Sequence, residues 1–278
     1  MDVCKAEPLN EWTMIVKASK YGEQNIFVAA GSVHPNPQAA AFELPHPSDC
    51  PTTIDRPVIF IIGANTGRGF ETVKAFFRSS KTYTILLGAR NKDKADGAVQ
   101  QLRAEFPNSN TAVAPVQVDL ENDLSIKKAI DFVAERYGRV DVLINTAGEQ
   151  FDPRVDLADL TLREMWNKSW DVNTTGTHIL THTFLPLLRK SLDPPLLFIT
   201  SGTSTLTESE NLTLRMNKSP AEAGQNPHPR SRVYRASKAG MNMPRREWTR
   251  ILHHDQVKTR CVSPGFLATG LGGIAEAQ

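Results

Sequence analysis

Tyr234 and Lys238 bracket the run Tyr234-Arg-Ala-Ser-Lys238. Positions i and i+4 share a helix face, so a phenol and an ammonium would point into one pocket. A free phenol, with a pKa near ~10, is a sluggish acid–base at neutral pH, and moving it to ~7 takes about 4 kcal/mol. A cation held beside it supplies much of that shift. Upstream, Thr200-Ser201 ends an apolar run, and a hydroxyl at the carboxyl end of a central strand lies where ligands sit in parallel sheets. By itself the Tyr-x-x-x-Lys spacing is common by chance.

A second constellation is the turn Gly63-Ala64-Asn65-Thr66-Gly67-Arg68-Gly69, which follows Val58–Ile62 and opens a helical stretch. Glycines let the chain turn tightly and let backbone amides approach a pyrophosphate, and the helix N-terminus adds partial positive charge. A strand-to-helix turn also uses glycine without any ligand. The position inside a βαβ unit is what favours a dinucleotide. The second strand ends at Leu87-Gly88-Ala89-Arg90, where a dinucleotide fold meets the adenosine ribose. A carboxylate there would select NAD. Arg90, with Lys92 close by, favours the 2′-phosphate of NADP(H) instead.

The elements that must position these groups alternate in type. Strands are predicted at 58–62, 83–87, 114–118, 140–144, 196–200 and 257–262. Helices are predicted at 70–79, 92–105, 124–137, 162–188 (broken by loops) and 234–252. Strands this continuously apolar are covered on both faces. Alternating β and α segments imply a doubly wound, mostly parallel α/β sheet with right-handed crossovers. The expected organisation is one Rossmann-like domain over residues 58–278, preceded by an irregular extension and proline-rich linker at 1–57. Within that extension 12–18 and 25–30 have strand character around Tyr21-Gly22-Glu23, a hairpin signal, but a poorly ordered segment is the preferred reading.

Composition narrows the function classes. Lys+Arg 32 against Asp+Glu 30 leaves a net charge of +2, too small an excess for a nucleic-acid or anionic-membrane partner. Apolar residues are 40% and charged residues 22%, as in an ordinary globular protein. No apolar run approaches the ~20 residues of a spanning helix. Cys4, Cys50 and Cys261 have no metal-ligand spacing, and His178 with His182 lack a zincin glutamate, so no metal site is expected. Without a secretory or mitochondrial leader pattern, the cytoplasm is the expected address.

From Val58 onward the chain resembles the short-chain dehydrogenase/reductase family. Gly63-x-x-x-Gly67-x-Gly69 is similar to its cofactor turn, and Asp119-Leu120 to its adenine contact. Asn145-Thr-Ala-Gly148 resembles its Asn-Asn-Ala-Gly motif, with Thr146 in place of the second asparagine. Asn173, Ser201, Tyr234 and Lys238 match the catalytic tetrad, and Pro264-Gly265-Phe-Leu267-Ala-Thr269 the loop that closes on the nicotinamide. The resemblance implies cofactor contacts at Gly63, Asn65, Thr66, Gly67, Arg68, Gly69, Arg90, Asp119, Asn145, Tyr234, Lys238, Leu267 and Thr269. It also implies that Tyr234 exchanges a proton with a carbonyl oxygen and Lys238 lowers its pKa. Ser201 would hold the substrate oxygen, and Asn173 would order a relay water.

Three departures stand out. The stretch between Ser201 and Tyr234 is longer than the family's, with a surface loop expected around 208–232. Pro244 falls inside the catalytic helix, where a kink or ~3 kcal/mol is expected. The sequence ends soon after Gly265, before the family's last helix and strand, so a homo-oligomer built on that element would be weakened. The expected function is NADP(H)-dependent hydride transfer to or from a carbonyl/alcohol group of a small apolar molecule. The alternative is a non-catalytic NADP(H)-binding protein with an incomplete substrate pocket.

Overall fold

The computed structural model describes residues 12–18, 24–30, 56–156, 159–219, 231–265 and 271. Trp12–Ala18 (β1) and Gln24–Ala30 (β2) pair antiparallel in a two-stranded sheet of their own. The hairpin signal therefore outweighs the expected irregular extension at these residues. Register places Ile15 opposite Phe27 and Val16 opposite Ile26, pairings of β-branched and aromatic types that favour strands. The turn at 21–23 and residues 34–55 of the proline-rich linker expected at 34–57 lie outside the described residues.

The main sheet starts at Val58–Ile62 (β3), buried at every residue. Gly67–Phe77 (α1), Thr84–Ala89 (β4), Lys92–Glu105 (α2), Ala112–Gln117 (β5), Asp123–Tyr137 (α3) and Val142–Asn145 (β6) follow. Next come Asp152–Asp156 (α4), Leu162–Trp170 (α5), Thr177–Leu188 (α6), Pro195–Ile199 (β7), Leu206–Ser209 (α7), Arg232–Ile251 (α8) and Lys258–Val262 (β8). The sheet order is β5-β4-β3-β6-β7-β8, with every neighbouring pair parallel. This is a doubly wound, Rossmann-like fold. Strand order reverses between β3 and β6, and the crevice at their carboxyl ends is where such sheets bind ligands.

Alternation along β3 feeds two cores. Val58, Phe60 and Ile62 pack with Ile126, Phe184 and Met241 from α3, α6 and α8. Ile59 and Ile61 pack on the other face with Val73 and Phe76 of α1 and Leu102 of α2. Pro115 is tolerated in β5 because that strand lies at a sheet edge.

One expectation is corrected. The 162–188 stretch is not broken by loops: a π-helical turn at Asp171–Gly176 joins α5 to α6 without interrupting the helix. Pro244 lies inside α8, which runs 20 residues through it. Met241 and Trp248, both buried in the core, anchor the helix on either side of the proline. His178 stacks on Trp248 with ring centroids 5.2 Å apart, and His182 lies at 6.2 Å, so both histidines are packing residues. No helix among the described residues is long and apolar enough to cross a membrane.

Candidate active site

Between β3 and α1 the chain reverses through Gly63 and Gly67, at φ +74° and +52°, a left-handed backbone that glycine adopts without strain. The Gly63 and Ala64 amides donate to the Gly88 carbonyl at 2.8 and 2.9 Å, which ties the turn to the end of β4. Thr146 Oγ1 donates to the Ile62 carbonyl and so locks the end of β3 to the residue after β6. At the start of α1, Thr66 makes no side-chain cap and the first turn carries no acid. Uncapped amides and the helix dipole face outward there, a ready anion site.

A cavity of ≈ 470 Å³ opens over this turn, and its wall includes Gly63, Asn65, Thr66, Gly67, Arg68 and Gly69. Arg90, Asp119 and Gly148 also line it. Arg90 stands 3.5 Å from Glu121 and 3.7 Å from Glu149, with its side chain 57% exposed. Ion pairs this exposed are worth at most ~1 kcal/mol, so neither glutamate fixes the guanidinium.

The second cation on this side is Lys94, not Lys92. Lys92 Nζ binds Asp96 at 2.6 Å, one helical turn along, whereas Lys94 lines the cavity. Asn91 caps α2 by accepting from the Lys94 amide, and that cap sets the helix phase. Reading Asn91 as the N-cap would have pointed to Lys94.

Asn145 stands apart from the cavity wall. It is buried and donates to Thr181 Oγ1 at 3.3 Å, because strand alternation turns it toward α6. Leu267 and Thr269 lie outside the described residues.

Two of the catalytic candidates, Lys238 and Asn173, meet beside Gly148. Lys238 is 1% exposed, and its Nζ donates to the Ile199 carbonyl at the end of β7, 3.1 Å away. Burial, reinforced by the Arg68 charge, pushes its pKa down to about 7. A β-carbon at Gly148 would sit 3.0 Å from both Lys238 Nζ and Asn173 Oδ1, so a larger residue would press on both groups. Asn173, on the π turn, accepts from the Glu149 amide at 2.9 Å and donates to the Glu149 carbonyl at 2.8 Å and Ser237 Oγ at 3.0 Å. π turns are frequent where a helix must present a functional side chain.

Tyr234 sits one turn before Lys238 on α8, 8% exposed. Its helix start is organised by Asp152, whose carboxylate accepts from the Val233 and Tyr234 amides at 2.9 and 3.0 Å. Ser231, at the N-cap position, makes no such bond. Asp152 comes from another helix, and no local pattern in the sequence marks it. Ser201, after β7, shares a 2.9 Å hydrogen bond with Thr203 Oγ1 and accepts from the Thr203 amide at 3.3 Å. Among the described residues no hydrogen bond joins Ser201 to Tyr234.

Comparison with known proteins follows the same lines. Residues 57–211 match the family model described as short chain dehydrogenase. The chain belongs to the short-chain dehydrogenase/reductase family. Short-chain dehydrogenase/reductase eupG of a Phoma species is 44% identical over 219 residues, covering 77% of this chain and 78% of the relative. Short-chain dehydrogenase/reductase tropE of Talaromyces stipitatus is 40% identical over 220 residues, covering 78% and 81%. The NADPH-bound carbonyl reductase from chicken fatty liver shares the fold with a TM-score of 0.64 at 23% identity, covering 80% and 81%. As a short-chain dehydrogenase/reductase the chain is an oxidoreductase of the class that moves hydride with a nicotinamide cofactor. Its residues fit such a group: positive-φ turn, uncapped helix start, cavity and three cations lie together.

Proposed function

We propose that the chain is an NADP(H)-dependent reductase or dehydrogenase acting on a carbonyl/alcohol pair of a small, apolar molecule. The observation that carries this reading is the meeting at Gly148 of the glycine-turn cavity with Lys238 and Asn173, one helical turn from Tyr234. Arg68, Arg90 and Lys94 around that cavity support a cofactor bearing an additional phosphate. A phosphate monoester carries close to two negative charges and outcompetes the single carboxylates of Glu121 and Glu149 for the 57% exposed Arg90 side chain. The chicken reductase, bound to NADPH, is consistent with that choice.

The turn amides and Arg68 would hold the pyrophosphate, and Arg90 with Lys94 the 2′-phosphate. When bound, the nicotinamide supplies or accepts the hydride. The protein supplies the proton and the geometry. Tyr234 donates its phenolic proton to the carbonyl oxygen as hydride reaches the carbon, and accepts it in the reverse direction. Lys238 in its charged form stabilises the phenolate that results. Ser201 donates a hydrogen bond to the same oxygen, and Asn173 pins the Gly148-Glu149 backbone beside Lys238.

Calorimetric titration of the full chain with NADPH and NADH, paired with the Tyr234→Phe variant on a panel of carbonyl compounds, tests this. NADPH should bind at least ~10-fold tighter than NADH, two Arg/Lys–phosphate contacts being worth more than 1.4 kcal/mol. Tyr234→Phe should lose ~10²–10⁴ in turnover, the usual contribution of a positioned general acid. Turnover unchanged in Tyr234→Phe would overturn the assignment of the acid, and NADPH binding without turnover in the wild type would leave a non-catalytic dinucleotide-binding protein.

A further inference from the structure

The residue after the catalytic tyrosine makes three hydrogen bonds to a part of the chain that the proposed chemistry does not use. Arg235 Nε donates to the Thr203 carbonyl at 2.9 Å, Nη1 to the Met216 carbonyl at 3.3 Å and Nη2 to Asn217 Oδ1 at 2.7 Å. One guanidinium thus holds both the start and the end of the segment that leads away from Ser201. Its planar fork allows several donors to be engaged at once without further loss of side-chain freedom.

Among the described residues, the middle of this segment is little buried. The helix α7 within it buries no residue, and Leu206 and Leu212 are 80% and 65% exposed. Its polar order is largely internal: Asn217 Nδ2 donates to the Glu208 and Asn211 carbonyls at 2.6 and 3.0 Å. Asn242 lies seven residues after Arg235, hence on the same face of α8. It accepts from Thr200 Oγ1 at 2.6 Å and donates to Ser204 Oγ at 3.2 Å. That face of α8 is therefore a rail of polar contacts for residues 200–217.

The rail ends on Ser201. Thr203, whose carbonyl Arg235 holds, is the residue that binds Ser201 Oγ through both its amide and its hydroxyl. We infer that Arg235 is a positioning residue: it fastens the 203–217 segment to the first turn of α8 and thereby sets the Ser201 hydroxyl relative to Tyr234. Tyr234 and Arg235 are adjacent in the chain, so one helical turn fixes the acid and, through Thr203, the hydroxyl that must meet the same substrate oxygen. The inference rests on the carbonyl chemistry proposed above for what Ser201 does, and on geometry alone for what Arg235 does.

The test uses the full chain with Arg235→Met, Arg235→Lys and Asn217→Ala. Each variant is read by NADPH titration, by steady-state kinetics on a carbonyl substrate and by amide hydrogen exchange. Arg235→Met should lower kcat about ten-fold or more while NADPH affinity stays within about two-fold. Arg235→Lys, which keeps the charge but only one of the three bonds, should recover part of the loss. Amides of 203–217 should exchange at least ~10-fold faster in Arg235→Met, with those of 238–248 in α8 unchanged. Asn217→Ala removes the far partner of the guanidinium without touching α8, should give the same pattern in weaker form, and serves if Arg235→Met does not fold. Unchanged exchange of 203–217, unchanged kcat, or a parallel loss of NADPH affinity overturns the inference. The exchange arm needs no turnover, so a wild-type chain that binds NADPH without reducing anything would sink the proposed function while exchange still decides the role of Arg235.

Discussion

Lys238→Met is expected to cost ~10²-fold or more in turnover and at the same time to raise the stability of the cofactor-free chain. The catalytic loss follows from charge: without the buried cation one helical turn along α8, the phenolate that proton transfer leaves on Tyr234 loses its stabilising charge. The gain in stability follows from burial. The ammonium sits 1% exposed with the Ile199 carbonyl as its oxygen partner, and its pKa is pushed down to about 7 by burial and the Arg68 charge. A fall from 10.5 to about 7 corresponds to about 4–5 kcal/mol of destabilisation of the charged form. Methionine has nearly the same length and no charge, and the orphaned Ile199 carbonyl gives back about 1–3 kcal/mol. The net gain at pH 6 is therefore about 1–4 kcal/mol.

The pH window has a definite sign. In the folded chain Lys238 loses its proton near pH 7, and in the unfolded chain only near 10.5. Between those values the unfolded state holds one more proton, so this lysine makes the wild type more stable as pH rises from about 7 to ~10.5. Below about 7 its full cost is present. The advantage of Lys238→Met in thermal melts should therefore be largest at pH 6 and shrink by pH 9. An advantage of the same size at both values, or none at pH 6, would show that the ammonium is not desolvated as the structure has it. In the wild type the same titration should make kcat/KM for carbonyl reduction fall as pH rises through about 7, because the free enzyme loses the charge that supports Tyr234.

Gly69→Ala is expected to abolish dinucleotide binding. A β-carbon there would lie 2.1 Å from the Gly63 carbonyl oxygen, 2.7 Å from Thr146 Oγ1 and 2.8 Å from the Ala64 α-carbon. The first and last of these are backbone, so no side-chain rotation relieves them. The turn must open, and with it the amides and the α1 N-terminus that face the cavity. Binding of NADPH should weaken ~100-fold or more, and overpacking should cost ~1–3 kcal/mol in stability. Gly97, inside α2, has nothing within 4 Å of an added β-carbon, so Gly97→Ala should bind normally and gain ~0.5–1 kcal/mol. Calorimetry on the two variants separates a close approach from a merely helical glycine. Equal binding by both would remove the glycine turn from the cofactor site.

Several of these features are local and so can be read along the chain. Val58–Ile62 forms the predicted strand because five consecutive apolar, mostly β-branched residues suit only a strand covered on both faces. The helix at 92–105 has the predicted bounds because Asn91 caps one end and its apolar residues recur at helical spacing at Ala95, Ala98, Val99 and Leu102. The glycine turn, and the Tyr234-Lys238 spacing, are legible for the same reason: each is set by a few neighbouring residues. Strand ends drifted by one or two residues, as at Ala112–Gln117, where the edge position relaxes the apolar pattern that marks a buried strand.

What the linear pattern could not supply are the contacts that depend on how distant elements meet. Amino-acid order by itself determined the alternation of strands and helices, the doubly wound class, the glycine turn and the helix face shared by Tyr234 and Lys238, because these follow from local periodicity and backbone conformation. Only the tertiary structure decided that Lys94 rather than Lys92 faces the cavity and that Asn145 turns to Thr181. It alone showed that Asp152 caps α8 across 81 positions of sequence, that a π turn presents Asn173, and that Arg235 reaches Thr203 and Asn217. Each of those depends on the phase at which a helix docks and on which partner waits at the far side. Docking phase is set by the packing of two cores against one sheet, and packing is a property of the folded chain rather than of any stretch of it.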